Sequence, residues 1–230
     1  MKNLKMIVFL CAVALLAARS EAQNLDERVD AAIAALKQGT VADATAWCNQ
    51  LAIPAERGAK DDTEARMVLH GATLQAGTAP ALGQQLAAAY RAVLAGAQPV
   101  PIKAFILEQF QYIAGAGDLA GVTPLLRQPE LADAATRVVI NIGSADAAAA
   151  LAAALPGTAG DVRLTLVRAL GVMPDKAAIP TLLQDTEATD EALRLAALGA
   201  LAATGEPQVG PVLLAATRAA RPYLRAQADD

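Results

Sequence analysis

The sequence has few of the side chains that carry out chemistry or bind metals. It contains one histidine and two cysteines in 230 residues, and aromatic residues make up only 3% of it. A protein metal site needs several convergent ligands, which one histidine without paired cysteines does not supply. The sequence also has no phosphate-binding glycine loop, calcium loop or Gly-x-Ser-x-Gly elbow. We therefore predict that the chain is not an enzyme and binds no cofactor or metal.

An excess of positive charge is also missing. The formal net charge is −4, and an acidic surface disfavours nucleic acid and anionic membranes as partners. Removal of residues 1–22 takes away Lys2, Lys5, Arg19 and Glu21, which leaves 16 basic and 22 acidic residues and a net charge of −6. The remaining candidate is an unidentified protein partner.

Alanine is what the sequence has in abundance. It makes up about a quarter of the chain, and hydrophobic residues together reach 55%. Alanine is the best helix former and allows helices to approach closely. No useful length of sequence alternates strand-forming with polar residues. We therefore predict an all-α fold with a core of Leu, Val and Ile side chains between alanines.

The N-terminus has the pattern of an export signal. Lys2 and Lys5 precede an apolar run from Met6 to Ala18, which is too short for a comfortable membrane span. Ser20-Glu21-Ala22 then gives the small-x-small pattern read by signal peptidase. We predict cleavage after Ala22, a periplasmic or secreted location and no stable membrane span in the mature chain. An uncleaved amphipathic anchor is the alternative.

Cleavage would leave Cys48 as the only cysteine, so no intramolecular disulfide is possible. Free cysteine is among the most buried residue types, and a buried hydrophobic role is the simpler interpretation of Cys48. A reactive thiol or an intermolecular disulfide is the alternative.

The second half of the chain contains an internal repeat. Segments with an acidic start and Leu-rich end are spaced by 28, 29 and 31 residues, and begin at Asp118, Asp146, Asp175 and Glu206. We predict that each is one short helix, here called a first helix. Proline recurs early in three of them, as Pro124, Pro180 and Pro211.

Second helices lie between these segments and read ADAATRVVINIG, GDVRLTLVRALG and DEALRLAALGALAATG. Gly143, Gly171 and Gly205 suit the left-handed position that ends a helix. Gly199 falls within a predicted helix, where we expect it to permit close contact with a neighbouring helix. An acidic residue near each start would cap free backbone N–H groups.

Two-helix units of this length indicate a stacked solenoid, because one unit cannot bury its own apolar face. We predict a signal peptide at 1–22, an N-terminal helix pair or cap at 23–60, irregular repeats at 61–117, and regular repeats with a C-terminal cap at 118–230. The continuous core is predicted to contain Leu126, Val138, Leu155, Leu166, Leu170, Leu182, Leu195, Leu198 and Leu213. Phe105 and Phe110 are also expected in the core.

The pair of segments Gly160–Gly171 and Asp175–Asp185 resembles the HEAT repeat. The second helix of that family often carries an acidic residue, then Val-Arg and Ala-Leu-Gly, which Asp161, Val162-Arg163 and Ala169-Leu170-Gly171 match. The resemblance covers about residues 60–217 and extends to Ala-rich secreted HEAT-repeat proteins of bacteria. It implies a right-handed α-solenoid of stacked helix pairs that acts as a scaffold for protein interaction or assembly. The tetratricopeptide repeat is the structural rival, but its sequence pattern is absent.

Two other functions remain open beside the scaffold. Some HEAT-like proteins attach or rearrange linear tetrapyrroles, so a chromophore lyase on this scaffold is one alternative. The other is the N-terminal repeat arm of a longer multidomain secreted protein.

The candidate binding residues are mostly arginines that recur on the second helices. They are Arg66, Arg137, Arg163 and Arg194, with His70 and Asn141 on the same predicted face, and acidic residues precede the arginines at Asp62, Asp133, Asp161 and Asp190. One interpretation is a positive stripe that binds a carboxylate or phosphate. The other is an Asp–Arg ladder that ties neighbouring repeats together. The lone His70 is expected to pack or lie at a rim, while Tyr112 or Trp47 would be binding anchors if exposed.

Overall fold

The computed structural model describes residues 24–53 and 60–218, and the regular secondary structure in these ranges is entirely helical. The predicted all-α class is confirmed, and the arrangement is consistent with an α-solenoid. The predicted signal peptide and the end of the last predicted helix lie outside the described residues.

The α-helices run in chain order as α1 (24–37), α2 (Val41–Cys48), α3 (Thr63–Gln75), α4 (Pro80–Ala95), α5 (Val100–Phe110), α6 (Leu119–Val122), α7 (Ala132–Ile142), α8 (Ala145–Ala154), α9 (Gly160–Val172), α10 (Ile179–Asp185), α11 (Glu191–Ala203) and α12 (210–218). Short 3-10 turns occur at Ala76–Thr78, Ala116–Asp118, Thr123–Arg127, Lys176–Ala178 and Pro207–Val209.

The chain divides into two compact units, Met1–Ile102 and Lys103–Asp230. The boundary falls within α5, and the repeat boundaries proposed at 60 and 117 stay predictions. In the first unit α2 packs against both α3 and α4. Tyr90 of α4 is completely buried there, and its hydroxyl lies 2.8 Å from Oγ1 of Thr73 in α3.

The second unit contains two layers of helices. One layer consists of the second helices, in which α9 lies between α7 and α11. The other consists of the first-helix segments, where α8 packs against both 123–127 and 176–178. Leucine and alanine fill the space between the layers, as the composition predicted.

The prediction that each first segment is one helix is correct only in part. The segment from Asp146 is the single helix α8, capped by Oγ of Ser144, which accepts the Ala147 N–H at 3.1 Å. The segment from Asp118 is broken, because α6 ends at Val122 and a 3-10 turn follows. Pro124 has no N–H to donate and its ring clashes with a helical carbonyl one turn earlier. The segment from Asp175 likewise begins with a 3-10 turn, which precedes α10.

The prediction for the glycines is correct at two positions and wrong at two. Gly143 and Gly205 have φ of +66° and +64°, the left-handed conformation expected after a helix. Gly171 lies within α9, which ends because Met173 precedes Pro174 and is therefore disfavoured in helical geometry. Gly199 is exposed, and a Cβ there would contact no described atom within 4 Å. The predicted close contact at Gly199 is therefore wrong.

The predicted core is confirmed except at its C-terminal end. Leu126, Leu155, Leu166 and Leu170 are fully buried, as are Val138 and Phe110, and Leu182 is nearly so. Leu195 is wrong, because 58% of it is exposed, and Leu198, Leu213 and Phe105 are only half-buried. Among the described residues α11 packs mainly against α9 and α10, which leaves the Leu195 side of the helix uncovered.

Candidate interaction site

The second helices of the Lys103–Asp230 unit share one burial pattern. In α7 the buried positions include Leu131, Ala135, Thr136, Val138 and Val139. Adding 31 to each number gives Val162, Leu166, Val167, Ala169 and Leu170, all of which are buried in or beside α9. Adding 31 again gives the buried residues Ala197, Ala200 and Leu201 of α11. Equivalent positions on the layer therefore lie 31 residues apart.

This spacing aligns the exposed side chains as well. Arg137 of α7 corresponds to Arg168 of α9 and to Gly199 of α11, and each lies on the helix face opposite the buried residues. One turn later, Asn141 corresponds to Val172, which is 67% exposed. We call Arg137, Asn141, Arg168 and Val172 the ridge, in which Arg137 is half-buried and the other three are exposed.

A groove between α7 and α9 lies along the ridge. It encloses about 210 Å³ and is lined by Asp133, Thr136, Arg137, Ile140, Thr165, Arg168, Ala169 and Val172. Arg137 forms an ion pair with Asp133, four residues earlier in α7. Arg168 is exposed and forms no hydrogen bond or ion pair with any described residue. The groove therefore contains one guanidinium whose charge is not matched by any described residue.

Thr136 gives this groove a second unsatisfied polar group. It is 3% exposed, and its Oγ1 has no hydrogen-bond partner among the described residues. Several helical threonines donate to the carbonyl four residues earlier, as Thr45 does to Val41 at 2.8 Å and Thr73 does to Leu69 at 2.7 Å. Thr136 makes no such bond. A buried polar group without a partner is rare in folded proteins.

Two of the predicted arginines are held by the protein itself. Arg163 pairs with Asp185 of α10 at 2.7 Å, rather than with Asp161, and also donates to the carbonyl of Thr158 at 3.1 Å. Arg194 donates to the carbonyl of Ala188 at 3.1 Å. Asp190 instead caps α11, because its Oδ1 accepts the Ala192 N–H at 2.8 Å. The Arg163 pair therefore ties α9 to α10.

Arg66 plays a similar part in the other compact unit. Its guanidinium pairs with Asp62 at 2.8 Å and donates to the carbonyl of Ala52 at 3.1 Å. Asp62 in turn accepts the Ala52 N–H at 2.9 Å. Burial would raise the pKa of Asp62, but the hydrogen bonds from Arg66 and Ala52 and the charge of Arg66 outweigh it and lower the pKa. This clip fixes the start of α3 to the chain after α2.

The predicted face is therefore only partly assembled. Arg137 and Asn141 lie on the ridge, but Arg163 and Arg194 are engaged in loop contacts, and Arg66 and exposed His70 belong to the other unit. As a binding face, the predicted set stays a prediction. Sequence reasoning missed Arg168 and Thr136. The 31-residue separation of Arg137 and Arg168 was the available signal, since Arg163 and Arg194 show the same separation.

The buried ionisable side chains of the Met1–Ile102 unit are poorly suited to nucleophilic chemistry. Cys48 is buried, as predicted, and burial raises the pKa of its thiol to about 12. Burial also raises the pKa of the Tyr90 phenol, although the hydrogen bond with Thr73 opposes the shift. Both groups are neutral at neutral pH.

The described ranges contain no group of three or more His, Cys, Asp or Glu side chains arranged to hold a metal ion. None of their helices is both long and apolar enough to cross a membrane. Among the aromatics singled out from the sequence, Tyr112 is 59% exposed and Trp47 is half-buried.

The stacked helix pairs place the protein among all-α repeat proteins of the solenoid class. A family model described as HEAT repeats matches residues 147–229, a range that contains α9, α10 and α11. Over this range the sequence is similar to HEAT repeats, as the motif around Arg163 predicted. No curated protein and no solved structure matches the chain.

Proposed function

We propose that this chain is an exported, non-catalytic scaffold that binds a protein partner through the ridge. HEAT repeats generally mediate protein–protein interaction. The observation that carries the proposal is the ridge itself, where charged, amide and apolar side chains stand exposed in register on α7 and α9. Arg and apolar residues beside a groove are typical of protein interfaces.

Three further observations support the proposal. The start of the sequence has the composition of a cleavable export signal. The raised pKa of Cys48 leaves no ready thiolate nucleophile at that position. The net charge of −4 opposes polyanionic partners.

Photo-crosslinking in the source cells tests this function. A photoreactive phenylalanine analogue replaces Asn141 on the ridge, and as a control replaces Gln184, which is exposed on α10 in the other layer. We expect one or a few discrete cross-linked proteins from position 141 and none of them from position 184. Identical cross-links from both positions, or none from 141, would count against the ridge as the binding surface.

Fractionation tests the export part separately. We expect the chain outside the cytoplasm with Gln23 as its first residue, as N-terminal sequencing would show. Retention in the cytoplasm with residues 1–22 intact would contradict the export proposal without affecting the binding proposal.

A further inference from the structure

We propose that the groove between α7 and α9 binds an acidic side chain of the partner, carried on an otherwise apolar peptide segment. This inference rests on the scaffold function proposed above and names the chemistry of its partner. It starts from Arg168, which has no described partner, and from the buried unpartnered hydroxyl of Thr136, both of which line the groove.

The residues that line this groove differ from those at equivalent positions elsewhere in the same layer. The position of Thr136 is occupied by Val167 in α9 and by Leu198 in α11. The other two copies of the repeat therefore have an aliphatic side chain at this position. The position of Arg168 is occupied by Gly199 in α11. Among the second helices α7, α9 and α11, the pair α7 and α9 is therefore the one whose groove combines two arginines with a buried hydroxyl.

The charges of the groove fit a single carboxylate. Asp133 and Arg137 neutralise each other in their ion pair, so Arg168 leaves a net charge of +1. A monovalent carboxylate matches that charge, whereas a phosphate dianion exceeds it. A planar guanidinium donates two parallel hydrogen bonds to a carboxylate, and the hydroxyl-bearing Thr136 and Thr165 line the same groove.

The surroundings of the groove favour a peptide over a small carboxylate. Ile140 and Val172 line the groove, and 67% of Val172 is exposed. An apolar side chain next to the acidic residue would cover this surface and gain from its removal from water. The acidic net charge of the chain also repels strongly acidic segments, which limits the ligand to a single acidic residue in apolar surroundings.

Selection from a random-peptide display library, with the full chain as bait, tests the inference without knowledge of the partner. We expect the enriched peptides to share one Asp or Glu beside an aliphatic or aromatic residue. Changing that acid to its amide in a synthetic peptide should weaken binding about tenfold, because a charge-assisted pair is lost. No enrichment, or enriched peptides without an acidic residue, would overturn the inference.

Substitutions of groove residues test whether the peptide binds in the groove. Arg168→Gln should weaken binding about tenfold, and Thr136→Val should weaken it by a smaller factor. Arg218→Gln removes the same charge from exposed α12 and should leave binding unchanged. Equal binding by wild type and Arg168→Gln would overturn the inference, as would equal loss in Arg218→Gln.

Competition identifies the source of the anion. Excess acetate should displace the peptide more effectively than the same concentration of inorganic phosphate, and the reverse order would replace the carboxylate by a phosphate group. The in-cell cross-links from position 141 separate the two proposals. Cross-links that persist unchanged when Arg168→Gln is added would overturn the acidic groove alone, whereas their absence from the chain with Arg168 intact would overturn the scaffold function.

Discussion

Two buried threonines, one in each unit, differ in whether their hydroxyls have a described hydrogen-bond partner. In the Met1–Ile102 unit, buried Thr73 hydrogen-bonds both the Leu69 carbonyl and the Tyr90 hydroxyl. In the groove, the equally buried Thr136 has no described partner. Partnered polar groups stabilise a fold, whereas a buried group without a partner costs free energy. Under the proposal above, the difference separates side chains that hold the protein together from side chains available to a ligand.

Arginines show the same contrast. Arg163 is 15% exposed and is tied to Asp185, itself 6% exposed, and to a loop carbonyl. Arg168, one turn and one residue later in α9, is exposed and makes no described polar contact. Two arginines of one helix thus belong to different classes, and substitutions can show whether the division is real.

The largest effect is expected for Arg163→Ala. It leaves the carboxylate of Asp185 buried and unpaired, which should lower the free energy of unfolding by about 3–5 kcal/mol in urea titrations. Arg168→Ala should change it by less than about 0.5 kcal/mol. Similar losses in both variants would remove the distinction between the two arginines.

A double variant checks the cause of that loss. Adding Asp185→Asn to Arg163→Ala removes the buried charge, so part of the lost stability should return. No recovery would mean that Arg163 acts through packing of its side chain and not through its charge.

A smaller effect on the free energy of unfolding is expected when Thr73 or Thr136 is replaced by valine. Thr73→Val deprives the Tyr90 hydroxyl of its 2.8 Å partner and leaves it the Leu69 carbonyl at 3.4 Å, so it should cost about 0.5–1.5 kcal/mol. Thr136→Val removes a hydroxyl that has no described partner, so stability should stay constant or rise. A loss at Thr136 equal to that at Thr73 would reveal an internal partner for Thr136 and argue against a ligand.

Glycine substitutions should produce changes of similar size and of opposite sign. Gly143 has φ of +66°, so Gly143→Ala should destabilise the protein by about 1–2 kcal/mol. Gly199→Ala meets no described atom within 4 Å and lies inside a helix, so it should stabilise by about 0.5–1 kcal/mol. Thermal unfolding of both variants measures whether each substitution raises or lowers stability. Destabilisation by Gly199→Ala would show that the face of α11 that carries Gly199 is covered in solution.

The sequence predicted the helical class and most core positions because both depend on local periodicity. It also placed the left-handed Gly143 and Gly205 correctly, since a glycine after a helical run has few other roles. It failed at Gly171, because Pro174 ends that helix and removes the need for glycine. It failed at Leu195, because an apolar helix face is buried only if another element covers it.

The groove was less accessible from sequence for a related reason. Grouping the arginines by their neighbours in sequence placed Arg137 beside Arg163, whereas the burial pattern pairs Arg137 with Arg168. The missing hydrogen bond of Thr136 leaves no trace in the sequence, since other helical threonines such as Thr73 do bond the carbonyl four residues earlier. Partners such as Asp185 for Arg163 come from another helix and depend on the packing of the repeats.

The smallest effect is expected from the clip in the Met1–Ile102 unit when the pH is lowered. The pKa of Asp62 is lowered in the folded state, so its contribution to stability is present above the unfolded value of about 3.9 and is lost as the pH falls through the folded value. The contribution is modest because Arg66 is 27% exposed and solvent screens the pair. Asp62→Asn should therefore be less stable than wild type near neutral pH, with a difference that shrinks as the pH falls below about 4. Asp133→Asn is the matched control, since its pair with Arg137 is exposed, and it should show a smaller difference throughout. A constant deficit in Asp62→Asn across the pH range would show that Asp62 acts through neutral hydrogen bonds, and the interior clip would then lose its electrostatic character.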